Sequence, residues 1–170
     1  MQSAGTTVET VKRESETDMG RGTRMFQLED AAIVPPGADL ELPIFVHGLP
    51  GPLLDLTVSL HVRHHDMGKL SLGLVSPGPR GVLLSALNGG ASSSFGRSCD
   101  EPLVFTDDAP VSIADAMPPH RGPYRAIGTL AAFRGLAPHV ANGCWRLVVS
   151  DVGRGGPGAL IACVTLIFRV

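Results

Sequence analysis

From Asp55 to His64 the sequence alternates without a break: Leu56, Val58, Leu60 and Val62 fall on one side, Thr57, Ser59, His61 and Arg63 on the other. A period of two belongs to an extended strand with one face on a core and the other toward water. No helix can present that pattern as a single stripe, so this segment commits the chain to a sheet.

Other segments repeat the signal. Phe26, Leu28 and Ala31 to Val34 read as a first strand stopped by Pro35-Pro36-Gly37, and Leu40, Leu42, Ile44 and Val46 as a second ended by Gly48-Leu49-Pro50-Gly51-Pro52. Leu70, Leu72 and Leu74 form another, broken at Ser76-Pro77-Gly78-Pro79. Gly81 to Leu87 and Leu103 to Phe105 are shorter candidates. Near the end, Trp145, Leu147 and Val149 alternate, a glycine-rich connection spans Asp151 to Gly158, and Leu160, Ala162, Val164, Leu166 and Phe168 close the chain. These last two strands are expected to pair as a hairpin. Residues 88–100 and 106–142 are long and poor in pattern, as ordered or functional loops are, with one helical turn near Leu130 to Phe133.

The expectation is therefore an all-β domain of about eight strands, in the two-sheet jelly-roll sandwich class. With 170 residues, 44% of them hydrophobic, the chain suffices for one domain with a real core. Residues 1–25 mix charge signs (Glu9, Lys12, Arg13, Glu14, Glu16, Asp18) without an apolar period and read as a disordered tail or linker; residues 26–170 form the domain. A net charge of −2 leaves no basic field for nucleic acid, and no stretch reaches the length of a membrane span. Met1 to Gly22 is not a secretory signal, so the chain is expected to be intracellular or a piece of something longer.

Three cysteines, Cys99, Cys144 and Cys163, lack metal-ligand spacing. Cys144 and Cys163 lie on strands expected to be adjacent, which leaves room for one bridge; buried thiols acting as compact hydrophobes are the preferred reading.

Specific residues also match a family pattern. Asp55 to His64, a short turn, then Leu70 to Ser76-Pro77 are followed by Phe105-Thr106-Asp107-Asp108-Ala109, Gly122-Pro123-Tyr124 and Leu130-Ala131-Ala132-Phe133-Arg134-Gly135. The set closes with Gly143-Cys144-Trp145-Arg146-Leu147-Val148-Val149-Ser150-Asp151 and Gly158-Ala159-Leu160. In order and spacing these resemble the P (Homo B) domain of subtilisin-like proprotein convertases, over roughly residues 28–168. The resemblance implies a galactose-binding-like jelly roll that contributes no catalytic residue. Such a domain would stabilise a subtilisin-like serine endopeptidase domain, in the same chain or in trans, in a secretory or extracellular setting. It also implies calcium as a cofactor, with Asp107, Asp108 and Asp151 as candidate metal ligands. Departures fall at Lys69, where the family has Asp, and at Gly155-Gly156-Pro157-Gly158, where it often carries an acid.

No Gly-Thr-Ser, His-Gly-Thr-His or Gly-x-Ser-x-Gly context occurs, and Ser92-Ser93-Ser94 sit in a glycine-rich loop. His61, His64, His65 and Asp66 are the most ligand-like cluster, but strand geometry sets His64 opposite His61 and His65, so the three cannot share one metal without a bend. The resemblance instead implies that His64 is a strand-end side chain bonding backbone. Asp107, Asp108 and Asp151, with Asp115, are read first as turn formers that bond nearby backbone N–H groups, ahead of calcium ligands. Trp145, Tyr124 and Phe133 read as core anchors. Two other readings stand beside the accessory domain: a free-standing carbohydrate- or peptide-binding module, which 5% aromatic content disfavours, and an orphaned domain without activity.

Overall fold

The computed structural model describes residues 22–90 and 92–170, and these build two packed sheets with almost no helix. Eleven strands occur in the described residues: β1 Thr23–Gln27, β2 Ala32–Val34, β3 Asp39–Val46, β4 Asp55–Arg63, β5 Leu70–Val75, β6 Gly81–Ala86, β7 Ser94–Phe95, β8 Leu103–Phe105, β9 Pro123–Tyr124, β10 Gly143–Asp151 and β11 Ala159–Arg169. The larger sheet runs β1-β11-β4-β8-β9, with β2 also on β11 and β7 on β4; the smaller runs β3-β10-β5-β6. Pairing is antiparallel except between β8 and β9.

Most alternating segments are strands close to where the sequence places them, and Leu130–Phe133 forms the expected turn, a 3₁₀ helix. The first expected strand, Phe26 to Val34, is instead two, β1 and β2, with residues 28–31 between them. The strands with no sequence signal, β7 and β9, have two residues each, too short to show a period. β1 begins at Thr23, inside the segment expected to be a linker, because Thr23 to Gln27 pair along β11. The rest of that expectation, residues 1–21, lies outside the described residues.

One topological expectation fails. β10 and β11 are not a hairpin: β10 sits between β3 and β5 in the smaller sheet, β11 between β1 and β4 in the larger. Each carries a full apolar face, and the two faces meet across the layers rather than lying side by side. Trp145 of β10 and Phe168 of β11 touch edge to face at 5.2 Å, with Phe133 5.0 Å from Trp145 on its other side. All three are fully buried, and the Trp145 indole N–H donates to Ala141 O at 2.8 Å. Trp145 and Phe133 are thus core anchors at the contact of the sheets; Tyr124, expected to be a third, is only partly buried against the core, and its ring meets His120.

The cysteine expectation is also corrected. With β10 and β11 in different sheets, Cys144 cannot reach Cys163; Cys144 is a free, half-buried thiol. Cys163 faces outward from the larger sheet, beside His61 of β4, and there it forms a disulfide with Cys99, 64 residues away in the chain. The bridge pins the loop of residues 96–102 over the outer face of the sheet. Alternation along β4 anticipated a wet outer face, yet His61 is only 7% exposed beneath this cover.

Candidate functional site

On that outer face, at the end where β4 and β11 meet, a cleft of about 530 Å³ opens between two loops. Its floor is His61 and Arg63 of β4 with Ala159 and Leu160 of β11, and Leu160 pairs opposite Arg63.

One wall carries Ser93, Ser94 and Arg97. It is held by the β4–β7 pairing, by His64 N–H donating to Ser93 O at 3.1 Å and Met67 N–H to Ser92 O at 3.0 Å, and by the Cys99–Cys163 bridge just beyond it. His61 adds a side-chain tie, its Nδ1 3.0 Å from Phe95 O.

The opposite wall is the crossover between β10 and β11, ending in Pro157 and Gly158. Asp151 anchors its start: Oδ1 accepts from Gly153 N–H at 2.7 Å, and Oδ2 lies 3.2 Å from His64 Nε2, with both side chains fully buried. His65 stacks on His64, ring centroids 4.2 Å apart, and lies against Gly156, where a β-carbon would come within 2.9 Å of the ring. At Gly158 a positive φ of 78° and a β-carbon position 2.2 Å from Val34 O leave no room for any side chain. Ile33 stands at the mouth, 65% exposed.

The histidine cluster therefore splits by role. His64 is the strand-end histidine bonding backbone that the pattern suggested: its Nδ1 accepts from Asp66 N–H at 3.0 Å and lies 2.6 Å from Asp66 O. Both of its nitrogens are committed, Nε2 to Asp151, so the buried His64–Asp151 pair has no nitrogen left to activate a hydroxyl. Ser92 spends its hydroxyl on Ser94 O at 2.9 Å, and among the described residues no serine hydroxyl bonds a histidine.

The three candidate calcium ligands are dispersed. Asp107 caps the 3₁₀ turn, its carboxylate accepting from Thr129 Oγ1 at 3.0 Å, Leu130 N–H at 3.0 Å and Ala131 N–H at 2.7 Å. Asp108 is exposed beside it, its backbone N–H reaching the Thr106 hydroxyl at 3.4 Å. Asp151 belongs to the other sheet and to His64. Calcium wants six to eight oxygens converging, and among the described residues no group of three or more His, Cys, Asp or Glu is disposed to hold a metal. Lys69, at the position where an acid was anticipated, is exposed, and its carbonyl accepts from Val152 N–H at 3.0 Å.

His120, within the patternless segment 106–142, is 1% exposed between the Phe95 and Tyr124 rings. Neither ring nitrogen has a hydrogen-bond partner. Burial pushes its pKa below the ordinary 6.5; a weak polar contact with the Ala116 backbone opposes the shift.

Sequence reasoning did not reach the cleft as a whole. His61, His64 and His65 are visible in the sequence as a cluster with Asp66, but Arg63 shows only as an outward strand position. Arg97 and the crossover come from loops without period, and the bridge that closes one wall is hidden by an odd cysteine count.

No family model matches the chain, and no curated protein matches it in sequence. Among solved structures, a chain of the Aeromonas sobria serine protease in complex with its chaperone is 18% identical with a TM-score of 0.43, over 85% of this chain and 26% of that one. The Aeromonas sobria serine protease by itself gives 16% identity and a TM-score of 0.39, over 85% of this chain and 27% of that one. The present chain thus spans about a quarter of either.

Proposed function

We propose that this chain is a non-catalytic accessory domain of the P (Homo B) kind, of jelly-roll topology, that works beside a subtilisin-like serine endopeptidase domain in cis or in trans. One observation carries the reading. The motifs that resemble the family pattern, far apart in sequence, close on one another as structural joints. The strand-ending His64 meets Asp151, the last residue of the Gly143 to Asp151 motif, across 87 residues. Asp107, from the Phe105 to Ala109 motif, caps the turn that contains Leu130–Phe133. Motif residues that hold loops and not substrate suit a domain whose task is to be a rigid neighbour. The disulfide suits the oxidising compartment in which such proteases act.

The test is recovery from source-cell extract with an antibody against the folded domain, followed by a fluorophosphonate probe for active serines. A labelled endopeptidase, covalently continuous with the domain or bound to it, is expected. Recovery of the domain with no fluorophosphonate-reactive protein would remove the reading and leave a binding module.

A further inference from the structure

The cleft between β7 and the β10–β11 crossover has a chemistry of its own. Two guanidinium groups, Arg63 from the floor and Arg97 from one wall, border it, and neither an Asp nor a Glu is among its lining residues. Arg63 is exposed and has no ionic or hydrogen-bonding partner among the described residues. Arg97 bonds Glu101 at 3.3 Å, both side chains more than half exposed; such a surface pair is worth little and yields readily to a better partner. A guanidinium presents a fork of donors that matches a carboxylate in two-point fashion, and Ser93 stands exposed beside it to donate a further hydrogen bond.

The cleft also has an apolar side: Leu160 on the floor, Pro157 on the far wall and Ile33 at the mouth face the same space, with His61, His64, His65 and Ser94 completing the polar side. Ile33 lies on β2 yet is 65% exposed, so the rim of the cleft is an unpartnered apolar edge next to a concentrated positive charge. A free inorganic anion would engage the arginines and leave this edge bare. A ligand that fits both must carry an anionic fork on an apolar body, at a size of a few residues. The walls are tied from below by the disulfide, the His64–Asp151 pair and the His65–Gly156 contact, so the site is largely formed before anything enters it, which lowers the ordering cost of binding.

We propose that this cleft binds a peptide segment through a carboxylate, with a flanking apolar side chain on Ile33 and Leu160. The carboxylate comes from an acidic side chain or from a chain terminus. Arg63 and Arg97 clamp it from two sides of the cleft, and charge complementarity excludes neutral and basic segments. The proposal does not depend on the protease reading, since a cleft of this charge would select its peptide whether or not a catalytic domain stands alongside.

Amide chemical-shift titration of the isotopically labelled protein tests it with four probes. Acetyl-Leu-Glu-Leu-amide carries the acid on a side chain, acetyl-Leu-Gln-Leu with a free carboxyl carries it at the terminus, and acetyl-Leu-Gln-Leu-amide has none; inorganic phosphate is the fourth. At least one acid-bearing peptide is expected to saturate shifts at Ser93, Ser94, Gly158 and Leu160 and to bind about 10-fold more tightly than the neutral peptide, as a charge-assisted pair should. Which of the two binds identifies the source of the carboxylate. Arg63→Gln and Arg97→Gln, each folded by its Trp145 fluorescence, should each weaken that peptide several-fold. Equal binding of acid and neutral peptides overturns the proposal, as does indifference to both arginine variants. Phosphate that reproduces the shifts while Leu160 stays silent under every peptide overturns it too, by showing a bare anion site.

Discussion

His64 Nε2 and Asp151 Oδ2 sit 3.2 Å apart, fully buried, joining the turn after β4 to the end of β10 and so one sheet to the other. The bond also orders the crossover, because the second oxygen of Asp151 holds Gly153 N–H. Removing either partner leaves a buried polar atom of the other without a hydrogen-bond partner, which costs about 1–3 kcal/mol. His64→Ala and Asp151→Ala should each lower the urea midpoint strongly. The double variant should lose clearly less than the sum, since the second change removes a group already orphaned. Strictly additive losses would show that the two side chains act separately.

Trp145 stands between Phe133 and Phe168 at the contact of the two sheets. Truncating a buried aromatic to Ala costs about 3–5 kcal/mol, against a total stability of about 5–15 kcal/mol. Trp145→Ala should therefore drop the melting temperature severely. His65→Ala, at an exposed ring against Gly156, should shift it little. Similar shifts for the two variants would contradict the placement of Trp145 at the heart of the core.

The Cys99–Cys163 bridge closes a loop of 64 residues in the chain. By chain entropy, such a cross-link stabilises by about 4 kcal/mol. The Cys99→Ser, Cys163→Ser double variant should melt well below the parent under non-oxidising conditions, and thiol titration of the unfolded parent without reductant should return a single reactive sulfur, Cys144. Three titratable thiols in protein purified without reductant would refute the bridge.

How far the fold was legible depends on what a period can report. Alternation along β4 and β10 gives the face of each strand, and those faces are as expected. On β11 Val164, Leu166 and Phe168 face the core as expected, but a bulge between Ile161 and Cys163 shifts the register, so Ile161 is buried and Leu160 and Ala162 are not. It does not give a strand's neighbour: β10 and β11 follow one another with a glycine-rich connection, which is the look of a hairpin, yet their apolar faces are satisfied across the core. That relation rules out Cys144 as the partner of Cys163, but Cys99 lies in a loop without period, so the bridge it makes has no local sign. At the site, His61 to Asp66 drew notice because the donors are contiguous. Arg97, Pro157 and Ile33 carry no local sign of convergence, since only tertiary ties bring their segments together. The aspartates were legible as turn formers, and Asp107 acts as one.

That role of Asp107 separates capping from metal binding. Its carboxylate receives three donors at the start of Leu130–Phe133, and loss of a capping side chain costs about 0.5–2 kcal/mol. Asp107→Ala should lower the melting temperature by the same amount in chelator and in millimolar calcium, with Asp108→Ala near neutral in both. A parent that gains stability from calcium, and loses that gain in the double variant, would instead establish the aspartates as ligands.

His120 contributes to the response to acid. The folded protein holds its imidazole neutral, with a pKa below the ordinary 6.5, because burial between Phe95 and Tyr124 penalises the cation. The unfolded chain takes up a proton more readily, so stability is fully present above about pH 6.5 and declines as pH falls through the folded value. His120→Leu removes the titration and the two unpartnered nitrogens together. Urea stability measured for parent and variant over a pH series should therefore diverge as the solution is acidified, with the parent losing more. The His64–Asp151 pair is common to both proteins and cancels in the difference. Parallel curves across the acid range would mean that His120 is protonated as easily folded as unfolded, and would remove it as a source of acid sensitivity.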